Sequence, residues 1–145
     1  MILPITLTIA GAAALLNIWL AMRAGRVRAA EKISIGDGGN ERLSRRMRAH
    51  ANFAEYAPFV LILIGAIELA MGTSLWLWLV GAAFILARIA HAFGMDGAMR
   101  LRLIGVLVTV LVLLGLGLYA IAIPYLPARN AGITELVIAS PPPRS

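Results

Sequence analysis

Arg48, Asn52 and Glu55 recur at i, i+4 and i+7, a spacing that puts them on one face of a helix, and Tyr56 widens the stripe. Further on, Arg88, His91 and Met95 fall at i, i+3 and i+7, and Arg102 follows. These side chains lie in or at the edge of apolar segments, where ionisable groups are costly and by default mark a site. If both stripes wall one pocket, it offers Arg forks, a carboxylate, an amide and an imidazole. That set suits a small zwitterionic ligand with several carboxylates. The forks bind carboxylates bidentately, Glu55 can hold an ammonium group, and Asn52 can meet a peptide amide. The chain has no cysteine. Any thiol chemistry therefore uses a ligand's thiol, and a cation beside that thiol favours the nucleophilic thiolate.

Plainer readings compete with this one. Arg88 lies about six residues, or roughly 9 Å at ~1.5 Å per residue, in from Gly94. A guanidinium at that depth needs a partner, and Glu55, at similar depth and of opposite sign, is the expected one. The two would then form a structural ion pair between helices, and His91 would be a neutral packing histidine. Arg42, Arg45 and Arg46 read as orientation signals and lipid-headgroup contacts. Glu68 reads as a solvated helix end, and Asn17 as an interhelical hydrogen bonder. His50 and His91 are too few and too far apart for a metal site.

The elements that must position these residues are membrane spans. The chain is 61% hydrophobic and 14% charged, which leaves too little polar residue to cover a soluble surface. A hydrocarbon core of about 30 Å asks for roughly 20 apolar residues per helix. Four segments qualify: 2–22, 51–71, 74–94 and 103–123, the last stopped by Pro124. In the first, basic residues follow the apolar run, the reverse of a cleavable signal peptide, so it reads as a retained anchor. Gly72-Thr73 joins spans two and three as an antiparallel hairpin. The Gly36-Asp37-Gly38-Gly39 cluster reads as turn chemistry; no Gly-Lys-Ser/Thr follows it, so it is not a phosphate loop. Beyond it nothing breaks a helix from about Glu41. Residues 127–145 read as a poorly ordered tail.

The formal charge is +6, and its distribution gives orientation. Arg23, Arg26, Arg28, Lys32, Arg42, Arg45, Arg46 and Arg48 lie between spans one and two, and Arg100 and Arg102 between three and four. The positive-inside bias puts both basic stretches in the cytoplasm and both termini outside. Trp76 and Trp78 begin span three at the outer interface. No basic run is interleaved with aromatics, so nucleic acid is not an expected partner.

Within this frame Arg48-Ala49-His50-Ala51-Asn52-Phe53-Ala54-Glu55-Tyr56-Ala57-Pro58 resembles the RAxxNxxEYxP signature of the MAPEG family, membrane-associated proteins in eicosanoid and glutathione metabolism. A second block agrees: Ala87-Arg88-Ile89-Ala90-His91-Ala92-Phe93-Gly94-Met95, followed by Arg100, Arg102 and Gly105. The glycine turn and short third loop look like the small bacterial branch. The resemblance runs from about Ile2 to Ile123. It implies a homotrimer of four-helix subunits in the bacterial inner membrane, with glutathione bound between neighbours near the cytoplasmic side. It implies transferase or peroxidase chemistry on lipophilic substrates. Arg48, Asn52, Glu55, Tyr56, Arg88 and His91 match glutathione contacts, and Arg102 matches the arginine that stabilises the thiolate. An assisting loop arginine falls on Arg26 or Arg28. Met95 departs from the pattern, standing where well-studied members place a ligand-contacting tyrosine.

The expected fold is thus an all-α membrane bundle of four helices over residues 1–126. The expected function is a glutathione-dependent transferase or peroxidase, with glutathione as co-substrate and lipids and a lipophilic electrophile as further partners. The first alternative is a non-catalytic relative that keeps the fold, with or without glutathione binding. The second is a small exporter of cationic compounds; such exporters rely on a carboxylate in the first span, which residues 2–22 lack.

Overall fold

Apolar runs become helices here, and the first two continue well past the hydrocarbon width before the chain turns. The computed structural model describes residues 2–126; the expectation of a poorly ordered tail falls outside that range. Helix α1 (Pro4–Ala30) carries Pro4 in its first turn, where a missing N–H costs no hydrogen bond. It runs well beyond Met22, so Arg23, Arg26 and Arg28 sit on helix and not in a loop. Nothing between Arg23 and Ala30 can end it. The chain turns only where Lys32, Gly36, Gly38 and Gly39 take positive φ. The Gly39 amide donates to Asp37 Oδ1 at 3.0 Å and holds that carboxyl below its ordinary pKa.

Helix α2 (Glu41–Met71) is capped by Asn40, whose side-chain oxygen accepts from the Leu43 amide at 2.9 Å. It ends at Gly72, with φ 81°. Three residues, Gly72 to Ser74, separate it from α3 (Leu75–Met95). After a short turn at Asp96, Gly97 and Ala98, α4 (Met99–Ala122) begins ahead of the expected Leu103, taking Arg100 and Arg102 into its first turn. Pro124 lies in a closing 3-10 turn, Ile123–Tyr125.

The four helices run up and down in turn, and each is long and apolar enough to cross a membrane. α1 packs chiefly on α2 and α3 on α4, so the bundle is two helix pairs joined along a thinner seam. Ile9, Leu16 and Leu20 meet Phe53, Val60 and Ile64 in the core, where Phe53 stacks on Phe84 with centroids 6.4 Å apart. Outside, Leu7, Leu15, Phe59, Leu79, Leu107 and Leu118 are largely exposed. On α4 only Gly105, Thr109 and Leu116 are buried. Such a surface is stable only against lipid or another helix.

At the end away from the arginines, Glu68 is 1% exposed and not solvated as expected. Its carboxylate accepts from the Ile5 and Thr6 amides (3.0 and 2.8 Å), the Thr6 hydroxyl (2.7 Å) and the Thr73 hydroxyl (3.1 Å). The reason is the start of α1, whose first amides have no helical partner and lie against the last turns of α2.

Candidate functional site

Two glycines decide how α4 meets α3. A Cβ on Gly105 would lie 2.6 Å from the Ala87 carbonyl oxygen and 2.7 Å from His91 Cβ; one on Gly94 would lie 2.2 Å from the Arg102 nitrogen. The two backbones therefore nearly touch. One turn beyond Gly105, Thr109 donates to the Gly105 carbonyl (2.7 Å) and presents its oxygen to Arg88 Nη1 (3.2 Å). Arg88 Nη2 donates to Asn52 Oδ1 on α2 at 2.7 Å and lies 3.2 Å from His91 Nδ1. An imidazole that accepts there keeps its proton on Nε2. Three helices thus converge on one guanidinium, 1% exposed, whose Nε has no partner among the described residues.

Glu55 is not that partner. It is exposed, and the expected ion pair with Arg88 does not form within the chain. The stripe of Arg48, Asn52 and Glu55 shares one side of α2, but the buried line of that helix passes through Ala49, Phe53, Ala57 and Val60. Glu55 follows Phe53 by about 200° of helical turn and so faces away from the core. Asn52, at the edge of the buried face, takes the place next to Arg88. Arg48 is exposed beside Glu55, and Tyr56 is half-buried.

Arg102 is exposed at the arginine-rich end, in a cleft of about 190 Å³ that it lines with Arg45, Gly94, Met95, Gly97 and Met99. Gly94 fixes it there by admitting the α4 backbone. Arg45, read from sequence as an orientation signal, belongs to this cleft. Met95 meets Arg102 in the same space, as the stripe of Arg88, His91 and Met95 requires.

Between the cleft and α1 lies a cluster the sequence reading missed. Asp96 takes Arg23 on one carboxylate oxygen and Arg46 Nε on the other, at 3.4 Å. Arg23 is 8% exposed, donates to the Ala92 carbonyl at 3.2 Å, and lies over the Trp19 and Phe93 rings at 4.7 and 5.5 Å. Arg46 donates to the Arg23 carbonyl at 3.0 Å. A carboxylate just after a helix end, facing two arginines one helix away, has no signal in local spacing. Thr109 was hidden for a similar reason, as one hydroxyl in an uncharged run.

The remaining residues divide by position. Arg26 is exposed on α1, while Arg28 is spent on the Ile33 carbonyl (3.4 Å) and Met47 Sδ (3.4 Å). Asn17 does bridge helices: its Oδ1 is 2.8 Å from His50 Nε2. Asn52, Arg88 and His91 are therefore brought together; Met95 and Arg102 share the adjoining cleft. Arg26, Arg48 and Glu55 stand on outer faces of α1 and α2.

A family model described as the MAPEG family matches residues 6–122. No curated protein matches the chain closely enough to count. The match spans all four membrane helices and every residue of the cluster and the cleft, and the chain belongs to the MAPEG family.

Proposed function

We propose that this chain is an integral-membrane, glutathione-dependent transferase or peroxidase for lipophilic electrophiles. Family membership supports a membrane protein of glutathione and eicosanoid metabolism; the finer reading rests on the site. The observation that carries it is the Arg88 guanidinium, buried among membrane helices with Asn52, His91 and Thr109 but without a carboxylate in its cluster. A guanidinium that meets only neutral groups leaves its charge uncompensated, and a ligand that brings carboxylates to the adjoining Arg102 cleft would compensate it. Arg26, Arg48, Glu55 and Tyr56 are the remaining contacts. Glutathione supplies a thiol, which the chain lacks. Arg102 holds the sulfur as thiolate, and the apolar flank of α4 lets a lipid-dissolved electrophile approach. In transfer, the sulfur lone pair forms the C–S bond as the leaving group departs with its electron pair. In peroxidase turnover, two thiols reduce one hydroperoxide to alcohol and water and leave as the disulfide.

Glu55 lies exposed within the membrane-spanning part of α2, where a charge facing hydrocarbon would be costly, and Arg48 shares its face nearer the cytoplasmic end. This supports a homotrimer whose sites are completed by the neighbouring subunit. The arginine-rich end belongs in the cytoplasm of a bacterial inner membrane, with both termini outside. The test is ultraviolet difference spectroscopy of purified protein with glutathione, followed by turnover with an activated aryl halide. A thiolate band and saturable turnover are expected. Glutathione binding with neither would refute catalysis. The second reading, a non-catalytic relative, is favoured by Met95: its thioether lines the Arg102 cleft and donates no hydrogen bond to a ligand.

A further inference from the structure

The two helix pairs carry different parts of the proposed site. α1 and α2 hold Arg26, Arg48, Asn52 and Glu55; α3 and α4 hold Arg88, His91 and Arg102. Polar side chains tie the pairs in two places. One is Asn52 with Arg88. The other is the end of α3, where Asp96 receives Arg23 from α1 and Arg46 from α2 and where Arg23 also donates to the Ala92 carbonyl. Resting on the function proposed above, we infer that Asp96 is a positioning residue: by anchoring the α3–α4 turn to the first helix pair, it holds Arg102 over the ligand's sulfur.

Backbone bonds shape the turn itself, with the Asp96 and Gly97 amides donating to the Phe93 and Gly94 carbonyls and the Met99 amide to that of Gly97, but none of them reaches α1 or α2. Gly97 has φ +136° and an open flank, so the segment between Asp96 and Met99 is not held by its own side chains. The Gly94 contact fixes the spacing of α3 and α4, not the placement of both against α1 and α2. Arg23 is held in place: it lies over the Trp19 and Phe93 rings and donates to the Ala92 carbonyl. Arg46 is tied to the Arg23 carbonyl in the same way. Asp96 therefore docks on a preformed pair of cations, and Arg102 lies just beyond it, in the first turn of α4.

The sign of the effect separates positioning from simple electrostatics. Asp96 is negative, so removing its charge with nothing else moved would make the Arg102 cleft more positive and the bound thiol more acidic. Loss of positioning does the reverse. For Asp96→Asn, the pH midpoint of the glutathione thiolate band should rise by about one unit, a tenfold loss of thiolate below both midpoints. Turnover number should fall by a similar factor, with KM for glutathione changed less than about threefold. Asp96→Glu should recover much of both. An unchanged or lowered midpoint in Asp96→Asn overturns the inference.

A second measurement does not depend on catalysis. The chain is free of cysteine, so spin labels on Ala29→Cys of α1 and Leu101→Cys of α4, in protein diluted with unlabelled chain, report the separation of the two pairs. Asp96→Asn should broaden or shift that distance distribution. An identical distribution overturns the inference. A broadened one in a protein with no thiolate band sinks the proposed chemistry and leaves the positioning intact.

Discussion

Arg88 and Asn52 should respond to mutation unequally, and the inequality is the test of how this cluster is built. Asn52→Leu removes the 2.7 Å acceptor from a guanidinium that is 1% exposed and already has one orphaned N–H. An unsatisfied buried neutral group costs about 1–3 kcal/mol and a charged one more, so about 3–4 kcal/mol is expected. Arg88→Met also loses the bonds to Asn52, Thr109 and His91. It removes, however, a cation with no carboxylate beside it, whose burial costs several kcal/mol. Thr109 keeps its bond to the Gly105 carbonyl, and Asn52, half-buried, can rehydrate. These contributions nearly cancel, and Arg88→Met should stay within about 1 kcal/mol of wild type. The double variant should then be more stable than Asn52→Leu alone, with a coupling of about 2 kcal/mol. The assay is reversible unfolding in mixed micelles, followed by circular dichroism. Additive losses, or an Arg88→Met variant as unstable as Asn52→Leu, would refute the reasoning. Glu55→Gln, which lies outside the cluster, should not couple to Arg88 at all within one subunit.

Gly94→Ala and Gly105→Ala should each force α3 from α4, since the new methyl would meet backbone atoms at 2.2 and 2.6 Å; a loss of about 2–4 kcal/mol and of glutathione binding is expected, and wild-type binding by either would contradict the close approach. Gly25→Ala, on the exposed face of α1 with open space around its Cβ, is the matched control. Glu68→Gln swaps a carboxylate that accepts four hydrogen bonds for an amide that must aim its N–H groups at those donors. A cost of about 2–3 kcal/mol and faster hydrogen exchange at the start of α1 should follow, with the thiolate midpoint unmoved. Arg102→Leu should keep glutathione binding but lose the thiolate band, and Arg102→Lys should keep part of it, since a nearby cation lowers a thiol pKa by about 1–3 units. Arg100→Leu should match wild type, and a loss there instead would place the sulfur elsewhere.

The sequence by itself determined the four spans and the family, because both depend on local quantities. Span length follows from apolar runs measured against a fixed hydrocarbon thickness, and the motif blocks are contiguous. The stripe of Arg88 and His91 was legible because a period of 3.6 fixes which residues share a face. Which face turns inward is not local. Arg48, Asn52 and Glu55 share a stripe, yet the packing of Phe53 and Val60 against α1 and α3 turns Asn52 toward Arg88 and Glu55 away. Only the tertiary structure could therefore choose an amide, not a carboxylate, as the partner of the buried guanidinium. It likewise made Glu68 a cap for another helix and Asp96 the meeting point of Arg23 and Arg46. Each of those contacts joins residues far apart in the chain, brought together by helix packing, and no periodicity within one segment encodes what a neighbouring segment will present.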